Sequence, residues 1–314
     1  MTANMSMYKK SALIRMNMAR DLFLTDIGER IPTILEYTEQ FKVSRGIVQQ
    51  ALETLTNDGS VVIEKRGVLG SFLVEVDQKK LYKHTDWGSI MGTMPVPLNP
   101  YLTSIATAVC EEMNLAPVPF SFAYMSGSEK RVEALENRLF DFLILSRSAA
   151  TRHMEGHDDL AICTVLDGSK YSAEYVLCFM GEGKTEIEDG MRVGVDPVCL
   201  DQRVLTEKLC QGKNVEFVEF PFLGFGDIIR EGKVDCAVFR KIDWDEPADP
   251  LADVHMVPLE GIPGFGADET NTPVVMVRKG NYGMDRLLKK YLHADKIQAI
   301  QKQVLEGKRS MKFY

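Results

Sequence analysis

Two stretches of this chain repeat one pattern, and they constrain its fold more than any other feature. In LENRLFDFLIL, Leu135 stands six residues before Asp141; in IIREGKVDCAVF, Ile229 stands six residues before Asp235. Each aspartate leads directly into an apolar run, FLIL or CAVF. A helix that turns through an acid into a buried strand is one half of a βαβ unit, whose right-handed crossover leaves few topologies open. The flanking sequence completes the first unit. It reads as strand TDWGSIMGTM, turn PVPLNP, helix Tyr101–Met113 with Leu102, Ile105, Ala106, Val109 and Met113 on one face, strand VPFSFAYM, helix EKRVEALENRLF and strand FLILS. The second unit reads as strand MRVGVD, helix CLDQRVLTEKLCQ, strand VEFVEFPF, helix GFGDIIREGKVD and strand CAVFR. The alternation predicts two similar α/β lobes, each with a mostly parallel sheet covered by helices. LAICTVLDGSKYSAEYVLCFM and TPVVMVRKG read as two extended crossings between them, which makes a hinged body over residues 84–314.

Bulk properties exclude several classes. With 314 residues, 45% hydrophobic and 26% charged, the chain is an ordinary globular protein of two or three domains. No window supplies the ~18 uncharged apolar residues that span a bilayer. Arg15 and Arg20 interrupt the only candidate signal core, so a cytoplasmic protein is expected. The six cysteines are scattered without a C-x-x-C pair and sit mostly in apolar runs, as reduced structural thiols do. Residues 1–80 hold eleven basic and ten acidic side chains, against 37 and 45 in the whole chain. The body is therefore acidic and the head nearly neutral. That balance permits a DNA-binding head, since only its contacting face must be basic.

The head has its own logic. Ile14, Met18 and Leu22 lie on one face of a helix over Tyr8–Leu24. After TDIGER, Thr33 and Glu36 have the spacing of a capping box, which predicts a helix through Phe41 broken at Lys42-Val43. Ser44 is placed as the N-cap of a second helix, with Val48, Ala51, Leu52 and Leu55 as its apolar stripe and Asp58-Gly59 as its stop. Two strands, Val61–Glu64 and Gly70–Val74, follow, with Lys65-Arg66-Gly67 in the tip between them. A helix-turn-helix of this kind presents the start of its second helix to base edges, and a basic hairpin tip reaches phosphates or the minor groove. Periodicity alone fits a small structural α/β lobe equally well.

The run EYTEQFKVSRGIVQQALETLTNDGSVVIEKRGVLGSFL resembles the winged-helix domain of GntR-type bacterial transcriptional regulators. The resemblance rests on Phe41, Val43, Ser44, Arg45, Val48, Ala51, Leu52, Leu55, Gly59, Gly67, Gly70, Ser71 and Phe72. It implies that Ser44, Arg45 and Gln49 face the groove, that Lys65, Arg66 and Gly67 form the wing, and that Thr33 starts the supporting helix. Three departures stand out: Gln49 replaces the usual arginine, Gly46 replaces Thr or Ser, and Ile34 and Leu35 occupy positions that are commonly basic. Gln49 can still pair bidentately with adenine.

The body resembles type 2 periplasmic-binding-protein domains, and head and body together resemble the YhfZ family of regulators. The fold class expected is α/β: an N-terminal winged helix-turn-helix over 1–80 and a two-lobed periplasmic-binding-protein-like domain over 84–314. In such a body ligands sit at strand ends and helix starts between the lobes. The matching positions are Pro97, Asn99 and Tyr101; Ser126, Gly127 and Ser128; Ser146, Arg147 and Ser148; Tyr171; Asp196 and Pro197; Phe222 and Arg240. Arg147 and Arg240 end the two repeated corners and form either an anion clamp or a pair of solvated surface arginines.

Other signals point nowhere specific. His153 and His157 have metal-ligand spacing beside Asp158 and Asp159, but they fall in a polar glycine-containing segment with no third ligand, which reads as a solvated loop. WDEPADPLAD (244–253) reads as an exposed connector, and GIPGFG lacks the strand-to-helix context of a phosphate loop. Leu287, Leu288, Tyr291 and Leu292, then Ile297, Ile300 and Val304, read as two closing helices that serve a core or a dimer contact. The expectation is a regulator acting as a homodimer on a double-stranded DNA operator. A small-molecule effector between the lobes controls it, an anion if the arginines clamp it. No catalytic residue, cofactor, metal or membrane contact is expected. The rival is a biosynthetic enzyme of the same body shape with an appended helix-turn-helix, for which no nucleophile–base pair is found.

Overall fold

The computed structural model describes residues 10–172, 174–181, 183–221, 228, 231–240, 254–259, 262 and 270–312. The chain forms two compact units, neither of them continuous in sequence. The first comprises residues 1–90, 116–119 and 280–291; the second comprises the rest.

In the first unit, helix α1 (Lys10–Leu24) buries Ile14, Met18, Leu22 and Phe23. After the short strand β1 (Arg30–Ile31), helix α2 (Ile34–Phe41) starts at the expected capping box. Thr33 Oγ1 accepts from the Glu36 amide at 3.2 Å, and the Glu36 carboxylate accepts from the Thr33 amide at 2.5 Å. Lys42, at φ 51°, takes the left-handed turn that ends α2. Helix α3 (Arg45–Asn57) buries Val48, Ala51 and Leu55, and Gly59 at φ 72° lets the chain leave it. Strands β2 (Val61–Lys65) and β3 (Ser71–Val76) form an antiparallel hairpin, with β1 on the far side of β3. Helix α4 (Gln78–Thr85), capped by Asp77, was not expected, because Leu81 is its one strong apolar anchor.

The helix Met284–Tyr291 packs in this unit and completes its polar network. Buried Asp21 accepts from the Tyr282 hydroxyl at 2.8 and 2.9 Å and from Arg286. Gln40 on α2 donates to that same hydroxyl at 2.5 Å. Burial raises the Asp21 carboxyl above its ordinary range, against the lowering effect of Tyr282 and Arg286.

The second unit holds two five-stranded sheets. The first lobe follows the chain through β4 (Ile90–Met94), α5 (Pro100–Met113), β5 (Phe120–Tyr124), α6 (Ser128–Glu136), β6 (Phe142–Ser146), α7 (Arg147–Gly156) and β7 (Leu160–Val165). The second follows through β8 (Tyr175–Met180), β9 (Arg192–Val195), α8 (Leu200–Leu209), β10 (Glu216–Glu219), β11 (Cys236–Arg240) and β12 (Val254–Pro258). Strand β13 (Pro273–Arg278) then returns to the first sheet, and the helix Ala294–Leu305 packs on α5. The strand orders are β5-β4-β6-β13-β7 and β10-β9-β11-β8-β12.

The sheets are mixed rather than mostly parallel. β4 and β6, and β9 and its two neighbours, run parallel. The crossing strands β13 and β8 arrive from the other lobe and pair antiparallel on both sides. Both corners close alike. Asp141 exchanges backbone bonds with Met91, donating to its carbonyl at 2.8 Å and accepting from its amide on Oδ2 at 2.9 Å. Asp235 does the same with Arg192, at 2.8 and 2.7 Å. Each carboxylate satisfies an amide at the start of the neighbouring parallel strand. Ile229 and the 244–253 connector lie outside the described residues.

All six cysteines are free thiols, four of them buried. No helix among the described residues is long and apolar enough to cross a membrane.

Candidate functional site

The start of α3 is an exposed polar face. Ser44, Arg45, Gly46 and Gln49 are all exposed, while the opposite stripe is buried. Ser44 occupies the N-cap position but makes no side-chain cap bond, so its hydroxyl stays outward. Arg45 makes no ion pair or hydrogen bond among the described residues, whereas the Thr33 hydroxyl is committed to the capping box. The hairpin tip differs from a simple cationic wing. Lys65 is exposed, but Arg66 pairs with Glu64 at 2.6 Å and lies 4.5 Å over the Phe72 ring. Gly67 opens a tight turn whose foremost side chains are Val68 and Leu69, fully and two-thirds exposed.

In the second unit the lobes meet at helix starts. The backbone at Gly127 approaches so closely that a Cβ there would stand 2.9 Å from Val198. Glu129 on α6 pairs with Arg203 on α8 at 2.6 Å, and Arg203 also donates to the Pro197 carbonyl at 3.1 Å. Ser146 caps α7 by accepting from the Ala149 amide at 3.1 Å, and its hydroxyl bonds across to Asp201 on α8.

That last bond joins a buried polar cluster. Arg240 ends β11 with its side chain 10% exposed, 3.7 Å from an Asp201 carboxylate that is 6% exposed. Its guanidinium donates to Ser172, to Asn271 at 3.2 Å and to the Thr270 carbonyl at 3.4 Å. It also stacks 4.0 Å from the Tyr175 ring centre and 5.8 Å from that of Tyr171. Burial pushes the Tyr171 phenol up to about 12 and the nearby Cys199 thiol up to about 11, so both remain neutral. A second guanidinium, Arg131 on α6, is 3% exposed and donates to the Met125 carbonyl at 2.7 Å. Burial pulls its pKa down, with Tyr171, Cys199 and Asp201 as its electrostatic neighbours.

The structure thus gathers Ser146, Tyr171 and Arg240 from the expected set. Ser128 and Ser148 are buried in the first turns of α6 and α7, while Ser126 is exposed. Buried Asp196 accepts from the Val198 amide at 2.9 Å. Arg147 stays apart: it is 37% exposed and paired with Asp167 at 2.9 Å. Pro97, Asn99 and Tyr101 are used in holding α5 and its packing partner. Thr103 donates to the Pro97 carbonyl, Asn99 caps α5, and Gln301 donates to the Tyr101 carbonyl. Phe222 lies outside the described residues.

Sequence reasoning missed Arg131, Ser172, Tyr175, Asp201 and Asn271. Within EKRVEALE nothing distinguishes Arg131 from its exposed neighbour Lys130. Asp201 carried a readable signal, an acid in the first turn of a helix at a strand end. The reading of His153 as part of a solvated loop is corrected. It lies on α7, 7% exposed, and burial pushes it down to about 4, so it is neutral. A cavity of about 700 Å³ opens between α6, α7 and α8, lined by Glu129, Glu133, Glu136, His153, His157 and Val204 among others. None of the expected ligand residues lines it.

Comparison with known proteins fits this division. Residues 26–73 match a helix-turn-helix domain model, and residues 77–313 match the YhfZ C-terminal domain. The uncharacterized protein YhfZ of Escherichia coli (strain K12) is 30% identical over 300 residues, covering 95% of this chain and 96% of that one. The crystal structure of YhfZ from Shigella flexneri superposes with a TM-score of 0.61 at 25% identity, over 76% of this chain and 98% of that chain. An ancestral arginine-binding protein bound to arginine superposes with a TM-score of 0.50 at 17% identity, over 71% and 99%. At that identity the likeness shows the two-lobed periplasmic-binding-protein-like fold alone. A helix-turn-helix domain followed by a matched C-terminal domain over three quarters of its length makes this chain a member of the YhfZ family.

Proposed function

We propose that this protein is a DNA-binding transcriptional regulator whose second unit senses a small molecule between its lobes. The observation that carries the reading is the start of α3, where Ser44, Arg45 and Gln49 stand exposed on a capped helix-turn-helix beside a hairpin wing. The GntR-type pattern supports the same residues as the base-reading set. Lys65 and the turn at Gly67 would lie along the backbone or in the minor groove. A homodimer supplies two such heads to half-sites about one helical turn apart. The interlobe cluster supports ligand control, since ligand closing the lobes would favour one dimer arrangement over another. The body binds rather than catalyses in this reading. Its polar groups form a buried cluster in which Asp201 holds Arg240 and the Ser146 hydroxyl, and Ser146 is spent capping α7.

The test is fluorescence anisotropy on DNA upstream of the gene and its neighbours. Wild type should bind one segment preferentially, and Arg45→Ala should weaken it roughly 5–150-fold, the worth of one good base contact. Equal, weak and sequence-blind binding by both proteins refutes the regulator.

A further inference from the structure

Three helices start beside the interlobe cluster, and each carries a buried oxygen without a hydrogen-bond partner among the described residues. These are Ser128 Oγ on α6, Ser148 Oγ on α7 and Asp201 Oδ1 on α8. Arg131 adds an unpartnered donor: its Nε is buried without an acceptor, while Nη1 is taken by the Met125 carbonyl. Ser128 and Arg131 are three residues apart on one helix face. Buried donors and acceptors are nearly always paired, and although such atoms also occur elsewhere among the described residues, Arg131 and Asp201 are the charged ones beside this cluster, with Tyr175 Oη unpartnered there too.

The charges are also unequal. Two buried guanidinium groups, Arg131 and Arg240, share this region. Asp201 is the one carboxylate that forms an ion pair with either of them among the described residues, and it pairs with Arg240. Arg131 is left as a desolvated cation held by one neutral carbonyl, an arrangement that costs stability unless an anion completes it.

We propose that Arg131 receives the carboxylate of a small hydroxy acid bound between the lobes, with Asp201 Oδ1 accepting from the ligand hydroxyl. The Nε edge of Arg131 offers the fork that a carboxylate fits. A monoanion balances the excess positive charge. A zwitterion such as an amino acid brings no net charge, and a phosphate dianion overshoots. Ser128 and Ser148 hydroxyls donate to the remaining ligand oxygens. This rests on the ligand-sensing reading above and moves the anion receiver from Arg147, which faces solvent, to Arg131.

Thermal unfolding of the full-length chain tests it in two ways. Without added ligand, Arg131→Met should leave the midpoint unchanged or raise it by about 2–4 °C by removing an unmatched buried charge, while Arg240→Met lowers it. With millimolar lactate, glycerate or gluconate, wild type and Arg147→Gln should be stabilised and Arg131→Met should not. Alanine and inorganic phosphate should have no effect. The proposal is overturned if Arg131→Met is destabilised as much as Arg240→Met. It is equally overturned if no hydroxy acid stabilises wild type, if the response survives in Arg131→Met, or if only alanine or phosphate works. Operator binding measured on the same preparations separates the two readings. DNA binding without a hydroxy-acid response removes this inference alone, and absent DNA binding removes the regulator.

Discussion

The two lobes of the second unit use one corner and finish it differently. In both, an aspartate before a strand holds an amide at the start of the parallel neighbour, Asp141 on Met91 and Asp235 on Arg192. In the first lobe the strand then runs into Ser146, which caps a helix; in the second it ends in Arg240, whose guanidinium is buried. The corner is set by backbone hydrogen bonding and so recurs. The strand ends face the other lobe and diverge, one offering hydroxyls and the other an ion pair. Repeated sequence here marks what the backbone needs, and the departure from repetition marks the site.

The largest effect should come from the divergent end. Arg240→Met leaves Asp201 buried without its ion partner and should cost about 3–5 kcal/mol in urea unfolding. A loss under about 1 kcal/mol would mean that the pair is a surface-like contact and the strand ends are not functionally distinct. A second asymmetry is His153, the buried histidine of the first lobe. Its folded value near 4 lies below the ordinary 6.5, so the unfolded chain takes the proton more readily. Stability is therefore full above about pH 6.5, falls as pH drops toward 4, and falls no further below, for a loss of at most about 3 kcal/mol. His153→Gln should flatten that window; equal losses in both proteins would show that another group titrates.

The shared corners should respond alike. Asp141→Ala and Asp235→Ala should each cost roughly 1–3 kcal/mol, the worth of a charged acceptor on a strand amide. A much larger loss at Asp235 would break the equivalence. The smallest effect belongs to Arg192→Ala, which strips the second corner of its 2.7 Å side-chain pair with Asp235. With both groups 40% exposed and screened by solvent, only a small downward shift in the urea midpoint is expected.

What was legible in the sequence follows the same division. The capping box at Thr33 and Glu36, the stripe of α3 and the stop at Gly59 all depend on neighbours a few residues away, and the paired corners showed because the same short pattern occurs twice. Helix α7 was missed because RSAATRHMEG carries few apolar residues, and its burial comes from packing on β6, β7 and β13. The antiparallel strands escaped because strand direction depends on where the chain re-enters a sheet. Arg131 escaped for a similar reason: its surroundings include Tyr171 and Asp201, some 40 and 70 residues farther on. Local grammar fixes elements, while burial of a charge is decided at long range.

The tie between Asp21 and Tyr282 bears on how the protein is made. A ribosome releases α1, α2 and α3 long before it reaches residue 282, so the nascent reading head holds a buried carboxylate still waiting for its phenol and guanidinium partners. The first unit therefore cannot close until residues 280–291 have been made, although its helices are synthesised first. A fragment ending near residue 80 lacks those partners and leaves the Asp21 carboxylate without the phenol and guanidinium that hold it.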